Sequence, residues 1–137
     1  MFRKLTTAAL IVVSLASGAV AFAGEQNLAL GCGMPEMPIS GTAKDRLNLA
    51  QKDLERGNYY QAHRVAKSVT AMKEADDAQQ AAAHAIAGWV LWHNGAKESA
   101  LKELREAKRL DASSLGVVLA KATDAKVNAE VKKALEV

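Results

Sequence analysis

Glycine and alanine return in this chain at one spacing, and that recurrence limits the fold more than any other feature. The segments ERGNYYQAHRVAKSV and HNGAKESALKELREA each place a glycine, an alanine five residues later, and an apolar residue four further on. Gly57, Ala62 and Ala66 therefore match Gly95, Ala100 and Leu104, at an offset of 38 residues. An alanine where two helix axes cross lets them approach to about 8–10 Å, whereas a larger side chain forces them apart. Glycine just past a helical pattern is a natural terminator, because it adopts the left-handed conformation that closes helices. Together these predict paired helices that turn at Gly57 and Gly95 and press small residues against their neighbours.

Composition agrees with helix. Aromatic residues make up only 4% of the chain, β-branched residues are few, and Ala, Leu, Lys and Glu are abundant, a balance that favours helix over sheet. Thr42 with Asp45 three residues on forms a capping-box pattern ahead of Leu47, Leu49, Ala50 and Leu54, so a first helix should start there and stop at Gly57. Asn58 is the expected cap of a second helix, with Tyr59, Ala62, Ala66 and Val69 on one face. The pattern breaks at KEADD, and a third helix is expected from about Asp77 to Asn94. A fourth runs from about Lys97 to Leu110, with Ala100, Leu104 and Ala107 inward and Lys102, Glu103, Glu106 and Lys108 toward water. After a break at Asp111 to Ser114, the tail reads as two short helices, Leu115 to Lys121 and Ala125 to Leu135, the latter capped by Asp124. The fold class is all-α.

The N-terminus is a separate matter. MFRKLTTAALIVVSLASGAVAFA carries Arg3 and Lys4, then an apolar run, then Ala21 and Ala23 around Phe22, the arrangement of a secretory signal peptide over residues 1–23. Its apolar run falls short of the roughly 20 residues of a membrane span, so no span is expected after cleavage. Export to the periplasm follows. Two of the 18 basic residues and none of the 15 acidic ones lie in that segment, which leaves a net charge of +1 on the mature chain. With no basic cluster remaining, nucleic acid is rejected as a partner. Residues 24–41 hold both prolines and no helical period, and read as an irregular leader. Cys32 is the single cysteine, so no disulfide can form within one chain. LALGCG faintly matches the lipid-attachment box of bacterial lipoproteins, with Ala29 where leucine is usual, the basis of an alternative reading as an envelope lipoprotein acylated at Cys32.

The paired segments resemble the tetratricopeptide repeat, a helix pair of roughly 34 residues with small residues where helices touch. The resemblance covers Thr42 to Leu135, about two repeats and a shortened third. In the second repeat Gly88, Leu91, Gly95, Ala100, Leu104 and Ala107 fit, and the closing LDA resembles Leu-Asp-Pro with Ala112 in place of proline. In the first, Leu49, Ala50, Gly57, Tyr59, Ala62 and Ala66 fit, Val69 replaces a small residue, and no closing proline occurs. The resemblance implies antiparallel helix hairpins in residues 42–137, stacked as a short α-solenoid with a concave groove for a protein or peptide partner. Carried onto this chain, the groove positions are Lys44, Leu47, Gln51, Leu54 and Glu55, with Ala85, Trp89, Trp92 and His93. Trp89 and His93 lie one helical turn apart, and tryptophan is a frequent interface anchor. A small helical domain could equally use both indoles to fill its core, and their exposure distinguishes the two readings. About three repeats are usually needed for stability, so the tail from Leu115 to Val137 should cap the stack, with homodimerisation as the outcome of an open end.

Catalytic signatures are lacking. No H-E-x-x-H, G-x-S-x-G or P-loop occurs, and no spacing brings a base to Cys32 or to a serine. His84 and His93 are nine residues apart and fall on opposite helix faces. Cys32, Met34 and Met37 offer soft sulfur ligands suited to Cu(I), the basis of an alternative reading as a metal or redox accessory protein. The leading expectation is a non-enzymatic module without a cofactor.

Overall fold

In the computed structural model the described residues are 38–136. The signal segment 1–23, most of the leader, and Cys32, Met34 and Met37 lie outside them. Five helices account for about four fifths of the described residues, and no strand occurs among them. They are α1 (Ala43–Glu55), α2 (Tyr59–Thr70), α3 (Asp77–His93), α4 (Lys97–Lys121) and α5 (Ala125–Glu136). The fold class is all-α, and no helix among the described residues is long and apolar enough to cross a membrane.

The helix ends follow from side-chain chemistry. Thr42 and Asp45 form the reciprocal capping box at the start of α1, and Asp76 and Gln79 form a second at the start of α3. Each satisfies two backbone N–H groups that the first helical turn leaves without a partner. Gly57 and Gly95 take positive φ of 78° and 87°. Behind each glycine the same two hydrogen bonds close the helix. Gly57 N donates to Leu54 O and Asn58 N to Asp53 O, while Gly95 N donates to Trp92 O and Ala96 N to Leu91 O. These are the paired bonds of the Schellman motif. Asn58 and Ala96 then open the next helices with nearly equal backbone angles, −84°/65° and −81°/63°. Asn58 occupies the cap position but makes no side-chain cap bond; the backbone turn alone, repeated at Ala96, starts the helix.

Helix α3 is the centre of the molecule, in contact with each of the other four. That explains why a run from Ala85 to Val90 is apolar on every side rather than amphipathic: all of it is buried. Helix α4 runs back along α3, with Gly88 against Leu104 and His84 beside Glu103. A Cβ on Gly88 would lie 2.7 Å from Leu104 Cγ and 3.1 Å from Ala100 O, so this contact demands glycine. Ala100, Leu104 and Ala107 are wholly buried, as the inner-face reading requires.

The tail differs from expectation in one respect. The break after Leu110 is confined to Asp111, whose backbone is extended (φ −161°, ψ 103°), and helix resumes at once into Lys121. Asp111 makes this possible by accepting hydrogen bonds from Ser113 N, Ser113 Oγ and Ser114 Oγ, capping the second half of α4. The chain turns at Ala122 to Asp124, and Asp124 caps α5 through Lys126 N and Val127 N.

Candidate functional site

Helix geometry sets Trp89 and His93 on one stripe of α3, their rings stacked with centroids 5.5 Å apart. Tyr59, at the start of α2, leans on both, 5.3 Å from Trp89 and 4.3 Å from His93. Lys97, in the first turn of α4, places its ammonium 5.2 Å from the Trp92 ring, within cation–π range. The result is an aromatic cluster edged by one lysine and one histidine.

This cluster is covered. Trp89 is 0% and Trp92 8% exposed, so neither indole is an open anchor; both belong to the core, as expected if a small domain poor in aromatics spends them on packing. The cover is the chain's own C-terminal helix. Trp89 Nε1 donates to Asn128 Oδ1 at 2.7 Å, and Trp92 Nε1 donates to Glu130 Oε2 at 2.9 Å. Asn128 in turn donates through Nδ2 to Ala122 O, tying the turn to the helix that follows it. His93 Nε2 stands 3.9 Å from Asp124 Oδ2, and Lys97 Nζ 3.7 Å from Glu130 Oε2. The Trp92 indole N–H first, and then Lys97, holds the Glu130 carboxyl below the ordinary carboxylate range.

The remaining residues read as groove positions divide. Leu54 and Ala85 are fully buried and serve the core, and Leu47 packs against it. Lys44 and Glu55 are exposed. Gln51 and Glu55 line a shallow cleft with Asn48, Lys52 and, from the end of α4, Lys121. The Gln51 Nε2 is buried without a hydrogen-bond partner among the described residues. The resemblance grouped positions on α1 and α3 and pointed to neither Asn128 nor Glu130, and Asp124 was read only as a helix cap, not as a neighbour of His93. The available signal was Asn128 and Glu130 embedded between Val127 and Val131, polar groups set directly against an apolar stripe.

A second polar cluster joins α2, α3 and α4. Glu103 Oε1 accepts from Lys67 Nζ at 2.8 Å, and Glu103 Oε2 meets His84 Nδ1 at 2.5 Å. Glu103 was expected to face water; it is instead largely enclosed, because His84 sits within the packed face of α3 and requires a partner. The His84 hydrogen bond, assisted by Lys67 against the opposing effect of burial, brings the Glu103 carboxyl down to about 2. Burial first, and then the charge of Lys67, lowers the pKa of His63 beside this cluster. With both oxygens engaged, Glu103 is poorly placed to accept a proton from a substrate. Among the described residues no group of three or more His, Cys, Asp or Glu is arranged to hold a metal ion. No family model matches the chain, and no curated protein or solved structure matches it either.

Proposed function

We propose that the chain is an exported, non-catalytic helical-repeat module of the tetratricopeptide type, which binds a protein or peptide partner through the face made by the first helix of each pair. The observation that carries this reading is the recurrence of one turn: Gly57 and Gly95 close their helices with the same two hydrogen bonds and open the next at the same backbone angles. Between the capping boxes at Thr42 and Asp76 the offset is 34 residues, and between the glycines it is 38. The difference equals one helical turn added to α3, which supports reading α1 to α3 and α4 as far as Leu110 as two copies of one hairpin plan. On this reading the binding face has an open part on α1, with Gln51, Lys52 and Glu55, and a part on α3 that α5 covers.

The test uses the mature chain from Gly24 as bait in crosslinking capture from envelope extract. The pair Lys52→Glu and Glu55→Lys reverses two exposed charges at the open cleft without touching the core. We expect the double variant to keep its helical circular dichroism and to lose at least one specific partner that the wild type captures. Identical partner recovery by both baits overturns the reading.

A further inference from the structure

Helix α5 lies on the Trp89–Trp92 face in the manner of a bound ligand. Only Val127 and Val131 of its twelve residues are buried. Ala134 and Leu135 pack on the core at its far end, where Lys108 Nζ donates to Leu135 O, and its remaining ties are polar groups that a different chain could supply: an amide on the Trp89 indole and a carboxylate on the Trp92 indole and near Lys97, with Asp124, just before the helix, near His93. Along its far side an open surface groove of about 290 Å³ runs between α5 and the second half of α4, lined by Ala112, Leu115, Leu119 and Leu135 beside the open space at Gly116. The link back to α4 is the short non-helical turn at Ala122 to Asp124, which Asn128 binds to α5 rather than to α3 or α4.

We infer that α5 is a displaceable occupant, and that this face takes an amphipathic helix from a protein partner in its place. This rests on the binding-module reading above and names the ligand. At 100° per residue, Val127 and Val131 form a stripe with Asn128 on one flank and Glu130 on the other. The partner's helix therefore carries apolar, amide, any, acid, apolar in five successive positions. Lys97 and His93 at the edge favour the acidic residue over a basic one. While α5 is docked the site is closed, and apparent affinity is reduced by the fraction of molecules in which it is open.

Trp89 and Trp92 are the two tryptophans of the chain, so emission reports the state of the site. The probe is a fluorescein-labelled peptide of residues 123–137, titrated into the mature chain and into Asn128→Ala/Glu130→Ala. The variant alone should emit to the red of wild type, bind the peptide about ten-fold more tightly, and return to the wild-type emission when saturated. Equal affinity for the two proteins overturns the inference, as does no binding to either with unchanged emission. A variant that doubles its mass has exchanged α5 between copies, and that outcome overturns the partner-helix assignment. If the variant does not fold, hydrogen exchange of the wild type decides: α5 amides should exchange as one unit well before those of α3, and exchange together with α3 overturns the inference. A captured partner that binds wild type and variant equally, with constant emission, removes displacement by α5 and leaves the open-cleft reading standing. Loss of capture in the cleft variant with peptide exchange intact does the reverse.

Discussion

Glu103 shows how one residue can serve stability while looking like surface. Its carboxyl titrates at about 2 in the folded chain against an ordinary 4.5. The stabilisation it gives is thus complete above its ordinary value and is lost as pH falls through that value toward 2. His63 acts in the same direction at higher pH: its pKa lies below 6.5 when folded, so acid begins to favour the unfolded chain as pH drops through that point. Glu103→Gln should cost about 1 kcal/mol at pH 7, a typical value for a hydrogen bond to a charged group after solvent screening. The gap between variant and wild-type melting temperatures should narrow as pH is lowered from 5 to 3. A gap that stays constant across that range contradicts the role assigned to Glu103. The sequence placed this residue on a solvated face because helical spacing reveals neither His84 nor Lys67, which arrive from two other helices.

Among the elements, the contact between α3 and α4 is the most extensive, and it turns on one missing side chain. Gly88→Ala would push a methyl group into Leu104 and should cost about 1–3 kcal/mol through overpacking. Leu104→Ala empties a fully buried position and should cost about 2–5 kcal/mol. Because the added methyl points into the space vacated by Leu104, the double variant should be more stable than the sum of the single effects implies. Denaturant unfolding of the four proteins checks this, and strict additivity would mean that the two helices do not meet at Gly88. The caps at Thr42, Gly57 and Gly95 were legible because each is a local signal within a few residues, whereas Asp76 was visible only as part of an acidic stretch before a helix and its box with Gln79 was not. The continuation of α4 past Asp111 was not: Asp-Ala-Ser-Ser has the composition of a loop, and here Asp111 binds both serines and restarts the helix one residue later.

For the whole molecule, the decisive arrangement is the path of the tail. Periodicity located the helices and the face bearing Trp89, Trp92 and His93, but it could not say that α5 returns to cover that face. That return depends on the angle at Asp111 and on the turn at Ala122 to Asp124, and neither has a period to read. It converts two candidate anchors into buried side chains with their N–H groups satisfied, and leaves the open cleft to α1 and Lys121. The account stands or falls on paired helices packed through glycine and closed by α5, and solution NMR of the mature chain tests it most directly. It predicts nuclear Overhauser contacts from the Gly88 α-protons to the Leu104 methyl groups and from the Trp89 indole N–H to the Asn128 side chain, with both indole protons slow to exchange. Indole protons that exchange freely, together with no contact between Gly88 and Leu104, would contradict it.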